Sequence, residues 1–227
     1  MPWRDVGRCA RNCVAAAEPE AARQAQALRE AALRLMPKGF GCAALPLTQI
    51  PVPLLAEEEA AVARAVLKRR REFALGRMAL RAALAEAGHV LPSTRAIPPR
   101  PDRQPDLPEG MRASLSHSGD FCLAVAAPPG GPSVGVDLEP VTRCVPEGLA
   151  EVIAPFRMAA DMPLLGFCLK EAMFKAQYPL TGRMLEFSAV PAVQRGARVR
   201  ACLGGRLIGA RWVEIAGYYL AVSLWRG

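Results

Sequence analysis

Hydrophobic and polar positions follow a helical period in the first part of the chain and a strand-like one in much of the rest. Glu18 to Leu35 is Ala-rich with charges between, a helical pattern closed by the stop Met36-Pro37-Lys38-Gly39. Loop prolines follow at Pro46, Pro51 and Pro53. Glu57 to Ala87 carries Val62, Val66, Phe73, Met78, Leu80 and Leu84 among Ala and Arg and ends at Gly88, which predicts one long helix or two. The proline-rich stretch from Leu91 to Pro108 predicts a stiff, extended connector.

Phe121 to Ala126 and Val134 to Glu139 read as strands flanking the turn-rich Pro128-Pro129-Gly130-Gly131-Pro132, either neighbours or the crossing between two half-domains. A helix from about Leu164 to Gln177 is expected to stop before Pro179. Arg198 to Leu203, Arg206 to Glu214 and Tyr218 to Trp225, broken at Gly204-Gly205 and Ala216-Gly217, predict an antiparallel meander.

Composition narrows the classes. With 227 residues, 52% of them hydrophobic, the chain can bury a substantial core as one large domain or two small ones packed together. No apolar run approaches the roughly 20 residues that span a bilayer, so a soluble protein is expected. Seven irregularly spaced cysteines without a secretory leader pattern predict reduced thiols in a cytoplasm. Cys9 and Cys13 lack a second Cys/His pair at zinc-ligand spacing. The net charge of +8 favours polyanionic partners, whether nucleic acid, a phosphorylated cofactor or an acidic protein surface, and equally suits a merely solubilising surface.

Candidate chemistry lies in four polar segments. Asp137 and Glu139 are two apart on a strand, so their carboxylates share a face while Val136 and Leu138 point to the other. Such a pair is tolerable around a hard cation, and equally at a solvated strand end. Glu171 and Lys175, four apart on a helix, share a face with Phe167; this is also a common stabilising surface pair, but Phe167, Met173 and Phe174 make the helix apolar enough to be packed. His117, in Ser114-Leu115-Ser116-His117-Ser118, has no third member for a hydrolase triad, and a role toward phosphate fits it better. His89, at a helix end, reads as a cap or surface residue. The basic run Lys68-Arg69-Arg70-Arg71-Glu72-Phe73, with Arg77 beyond it, completes the set.

These segments, in this order, resemble the 4'-phosphopantetheinyl transferases, and in particular the single-chain, enterobactin-synthase component D-like branch that serves siderophore and polyketide synthases. His117 matches the histidine of a Ser-x-Ser-His motif, Asp137 and Glu139 a Gly-(Ile/Val)-Asp-x-Glu motif, and Phe167, Lys170, Glu171 and Lys175 an aromatic-Lys-Glu-Ala-x-x-Lys motif. Arg69 and Arg77 match the arginines that face the 3'-phosphate of coenzyme A. Leu107 stands where the branch usually has Trp, and Pro99 falls near a basic position for which Arg100 or Arg103 could substitute.

The resemblance implies an α+β fold of two similar α/β half-domains related by a pseudo-twofold, with a cofactor cleft between them. The halves would be residues 1–130 and 131–227, with 1–40 as an extension. It implies transfer of 4'-phosphopantetheine from coenzyme A to a serine of an apo acyl or peptidyl carrier protein with an acidic surface, by a holo-[acyl-carrier-protein] synthase-type enzyme. Magnesium, with manganese as alternative, would be held by Asp137, Glu139 and Glu171. Coenzyme A would meet Arg69, Arg77, His117, Lys170 and Lys175, with Glu171, Lys175 and His117 catalytic. A cytoplasmic monomer without membrane or nucleic-acid partners is expected. The competing classes are a magnesium-dependent phosphohydrolase, which gives no account of the arginines, and a basic nucleic-acid-binding module, for which 6% aromatic content is low.

Overall fold

A computed structural model describes residues 6–158 and 162–227, with side chains from residue 19 onward, so the thiols of Cys9 and Cys13 lie outside what is described. The chain is α+β. Helix α1 (Val6–Leu35) leads into β1 (Gly41–Pro46), and the predicted helical span 57–87 is divided into α2 (Ala56–Val62) and α3 (Leu67–Glu86). The hairpin β2 (Ala113–Ser118) and β3 (Phe121–Ala126) follows the connector. Then come β4 (Ser133–Pro140), α4 (Leu149–Ile153), the short β5 (Phe156–Arg157), α5 (Pro163–Thr181), and the meander β6 (Ala192–Arg195), β7 (Arg198–Leu203), β8 (Arg206–Ile215) and β9 (Tyr218–Trp225). Among the described residues no helix is long and apolar enough to cross a membrane.

Two corrections concern prolines and the chain start. Helix α5 does not stop before Pro179 but runs through it to Thr181, ending where Gly182 takes the left-handed conformation and its amide donates to the Tyr178 carbonyl at 2.8 Å. A proline in the exposed last turn forfeits one backbone hydrogen bond, too little to end a helix whose earlier turns are packed. Residues 25–40 are core rather than an extension: Ala25, Leu28, Ala31, Ala32, Met36 and Phe40 are buried.

The strands form two sheets, ordered β1-β3-β2 and β4-β9-β8-β7-β6-β5. Helix α3 packs Leu80, Ala83 and Leu84 on the smaller sheet. Helix α5 packs Leu165, Cys168, Leu169 and Ala172 on one face of the larger. Helix α1 covers both sheets, its buried Leu28 and Ala32 sharing a core with Leu123 and Val125 of β3, Val136 and Leu138 of β4, and Leu220 and Val222 of β9. The turn at 127–132 carries the chain from the smaller sheet to the larger.

In each sheet the first strand is followed by its helix and later by a hairpin whose last strand pairs with the first, giving β1-β3-β2 and β4-β9-β8. In each, the first strand approaches its helix through a glycine. A Cβ on Gly41 would lie 2.0 Å from the Ala83 carbonyl oxygen of α3, and one on Gly135 would lie 2.0 Å from that of Ala172 in α5. Backbone cannot yield as a flexible side chain can, so Gly41→Ala and Gly135→Ala should each lower unfolding free energy in urea by about 2 kcal/mol or more. Gly209→Ala, whose Cβ would meet only the Val199 carbonyl oxygen at 3.3 Å, should cost much less.

Candidate active site

The two sheets meet where β2 lies along β4, joined by side chains rather than by a backbone ladder. Period two directs Ser114, Ser116 and Ser118 to β4 and Leu115 and His117 to the other side. Ser114 Oγ accepts from the Val136 amide at 3.1 Å, Ser116 Oγ donates to Asp137 Oδ1 at 2.8 Å, and Ser118 Oγ donates to Glu139 Oε2 at 3.0 Å. On the opposite side Leu115 faces Gly76 of α3, and His117 Nε2 lies 2.8 Å from Arg69 Nη1. A guanidinium can only donate, so His117 accepts at Nε2 and keeps its proton on Nδ1. Burial, with Arg69 and Lys175 adding and Glu72 opposing, holds the imidazole below its ordinary value and therefore neutral.

Helix α5 supplies the facing charges. Lys175 Nζ donates to Asp137 Oδ1 at 2.6 Å and to the Val136 carbonyl at 3.2 Å. Burial pushes this ammonium down, but Asp137 and then Glu171 outweigh it and hold Lys175 above its ordinary value. Glu171, one turn earlier, is raised by burial and by Asp137 and Glu139 against the pull of Lys175, and among the described residues it makes no hydrogen bond. Glu139 Oε2 also accepts from Arg143 Nη1 at 2.6 Å, while Asp137 Oδ2 is buried without a hydrogen-bond partner among the described residues.

The three carboxylates are neighbours but not a preformed cage: among the described residues no group of three or more Asp, Glu, His or Cys side chains is placed to hold a metal ion. Lys175 and Arg143 hold two of them in separate ion pairs. The donor set nonetheless suits magnesium, which takes one or two carboxylates and completes its shell with substrate phosphate oxygens and water. The orphaned Asp137 Oδ2 and the unpaired Glu171 carboxylate are such donors.

The remaining predicted residues divide. Of the basic run only Arg69 faces His117; Arg70 pairs with Glu59, and Arg71 donates to the Thr48 carbonyl. Arg77 is buried, its Nε donating to the Ile97 carbonyl at 2.6 Å and its guanidinium stacked 3.8 Å from the Phe73 ring centroid. Burial, partly offset by Glu58 and reinforced by Arg69, pulls it down to about 10, and its terminal nitrogens make no hydrogen bond among the described residues. Lys170 does not join the cations around Asp137. It donates to the Phe187 carbonyl at 2.5 Å on the other stripe of α5, where it lines an apolar pocket with Met173, Phe174 and Leu185. Burial pulls it down to about 8. Arg100 pairs with Asp106.

Residues 57–127 match the model of the 4'-phosphopantetheinyl transferase N-terminal domain, a stretch from α2 through β3 that holds Arg69, Arg77 and His117. The chain is 41% identical to the 4'-phosphopantetheinyl transferase Svp of Streptomyces mobaraensis, with 72% of each chain covered. It is 36% identical to the 4'-phosphopantetheinyl transferase Npt of Nocardia iowensis, over 67% of this chain and 72% of that one. It is 37% identical to the 4'-phosphopantetheinyl transferase PptT of Mycobacterium tuberculosis, over 59% of this chain and 62% of that one. The chain belongs to the 4'-phosphopantetheinyl transferase family.

In this family member several residues that build the site carry no motif signal of their own. Ser118, which holds Glu139, lies outside every motif, whereas Ser116, which holds Asp137, is the second serine of the Ser-x-Ser-His match. Glu58 on α2 accepts from the Ile97 and Leu55 amides and from Arg81 at 2.8–3.1 Å, and so fixes the segment whose carbonyl receives Arg77. Burial pushes the Glu58 carboxyl up, but these hydrogen bonds outweigh it and hold it below the ordinary range. A lowered carboxyl stabilises the fold above its unfolded value and loses that contribution as pH falls through the folded one. Glu58→Gln should therefore lower unfolding free energy by roughly 2 kcal/mol at neutral pH. The difference from wild type should shrink as pH is lowered toward about 3, which denaturant titrations across that range would check.

Proposed function

We propose that this chain is a holo-[acyl-carrier-protein] synthase-type 4'-phosphopantetheinyl transferase of the branch serving siderophore and polyketide synthases. It moves the 4'-phosphopantetheine of coenzyme A to a serine of an apo acyl or peptidyl carrier protein, and 3',5'-ADP leaves. The names of the curated relatives support the reaction class. The observation that carries the reading is that Asp137, Glu171 and Lys175 gather on one side of β2 and the His117–Arg69 pair on its other side, with Lys175 close enough to bear on His117. The shared strand order and the paired glycine contacts of Gly41 and Gly135 support two half-domains, 1–130 and 131–227, related by a pseudo-twofold with the cofactor cleft between them.

In the reaction the carrier serine oxygen attacks the β-phosphorus of coenzyme A, a new phosphorus–oxygen bond forms, and the anhydride bond to the α-phosphate breaks. The serine proton goes to Glu171, directly or through a water, since a carboxyl raised above its ordinary value is a better base than a solvated one. Lys175, held in place by Asp137, neutralises charge gathering on the departing phosphate. His117 presents its Nδ1 proton as a donor toward phosphate oxygens. Arg69 and the free terminal nitrogens of Arg77 offer the forked donors that suit the 3'-phosphate.

Magnesium, or manganese, held by Asp137, Glu139 and Glu171 would supply charge neutralisation on the pyrophosphate. Lys170 and the apolar pocket beside it suit the pantetheine arm, which is largely apolar with a few amides. The carrier's acidic surface is expected to be steered by the net charge of +8. Free thiols at all five described cysteines support a cytoplasmic enzyme, read here as a monomer.

With coenzyme A and magnesium, an apo carrier protein should gain the mass of one phosphopantetheinyl group. Asp137→Asn and Glu171→Gln should each slow that gain by about 100-fold or more with the fold intact by circular dichroism. Phosphate release without a mass gain on any of several bacterial carriers would favour the hydrolase. Arg69→Ala and Arg77→Ala should weaken coenzyme A by about tenfold more than 3'-dephospho-coenzyme A, measured as a ratio of dissociation constants. Equal weakening of both ligands would remove these arginines from the 3'-phosphate.

A further inference from the structure

The larger sheet has a second face, away from α5, that the reaction does not use. One cross-strand row on it runs from Val136 to Val222, Arg211, Arg198 and Arg195 across β4, β9, β8, β7 and β6. The next row runs Val134, Leu224, Gly209, Arg200, Val193. Both rows begin on apolar residues, with Val134, Val136 and Val222 buried in the core that α1 covers, and continue onto exposed arginines.

Three arginines directly opposite one another destabilise a sheet. Among the described residues none of Arg195, Arg198, Arg200 and Arg211 is in an ion pair. Glu214, the acidic residue of β8, falls on the opposite face by strand alternation. The end of α1 at Leu35, with Pro37 just beyond it, stands over this face and leaves a groove of about 270 Å³ lined also by Arg198, Arg200, Arg211 and Leu224. Gly209, without a side chain, keeps its floor open.

We propose that this groove docks an acidic, amphipathic segment of a partner polypeptide, its carboxylates on the arginine row and its aliphatic side chains on the floor. Two features favour such a segment over nucleic acid. The floor is aliphatic, and no aromatic ring lines the groove on which a base could stack. The charge row and the apolar floor lie side by side, as interleaved acidic and aliphatic residues require. The surface is independent of the transfer reaction, because strand alternation puts these arginines and the Asp137 carboxylate on opposite faces of one sheet.

The test uses the full chain and a fluorescein-labelled peptide of alternating Glu and Leu pairs, read by anisotropy, beside a labelled oligo-dT. The peptide should bind wild type more tightly than the oligonucleotide does and weaken with added salt. It should bind Arg195→Gln/Arg198→Gln/Arg211→Gln about tenfold more weakly or worse, with coenzyme A affinity unchanged. Arg198→Glu, which places a carboxylate between Arg195 and Arg211, should raise Tm while losing the peptide, so loss of binding cannot be ascribed to misfolding. No peptide binding to wild type, undiminished binding to either variant, a fall in Tm for Arg198→Glu, or tighter binding of the oligonucleotide would each overturn the proposal.

Discussion

Three serine hydroxyls on one edge of β2 hold the two sheets in register, and the active centre is built on that contact. Ser114, Ser116 and Ser118, every second residue of β2, reach the Val136 amide, Asp137 and Glu139 in order. Buried carboxylates are costly unless hydrogen-bonded, so these donors are what allow Asp137 and Glu139 to lie at an interface between sheets. Because β2 presents His117 on its reverse side to Arg69, the same strand that satisfies the carboxylates also positions the cations of the smaller sheet.

Charge balance at this seam is local and incomplete. Lys175 answers one oxygen of Asp137 and Arg143 one oxygen of Glu139, while Asp137 Oδ2 and the Glu171 carboxylate have no partner among the described residues. On the other side Arg69 and Arg77 lie near each other: Arg69 Nη1 meets His117 and pairs with Glu72 at 3.5 Å, while the terminal nitrogens of Arg77 make no hydrogen bond among the described residues. An excess of negative charge beside an excess of positive charge, separated by one strand, is what a cation carrying a polyphosphate would neutralise from both sides. Helix α1, fastened to β1 and α3 through Arg29, Glu86 and the Cys42 backbone, braces the seam from behind by packing on both sheets.

Much of the fold was legible where a periodic pattern was long. The helix of α3, the strands β3 and β4, the α5 helix and the C-terminal meander all stand at the expected positions. Strand β1 was missed because Gly41-Cys-Ala-Ala-Leu-Pro has no alternation to read; both faces of it are covered, by α1 and by α3. The end of α5 was misplaced because Pro179 signals a stop in sequence, whereas in an exposed last turn it costs one hydrogen bond.

The sequence by itself determined which side chains share a face: Asp137 with Glu139 by the strand period, and Glu171 with Lys175 by the helical one. These relations hold within a single element, so spacing alone settles them. Only the tertiary structure decided what each face meets. Lys175 reaches Asp137 across 38 residues, Ser116 reaches it across 21, Arg77 turns inward to Ile97 while Arg69 reaches His117, and Lys170 leaves the cations for Phe187. Those pairings depend on sheet register and on how closely α3 and α5 approach their strands at Gly41 and Gly135, long-range quantities that no local period encodes.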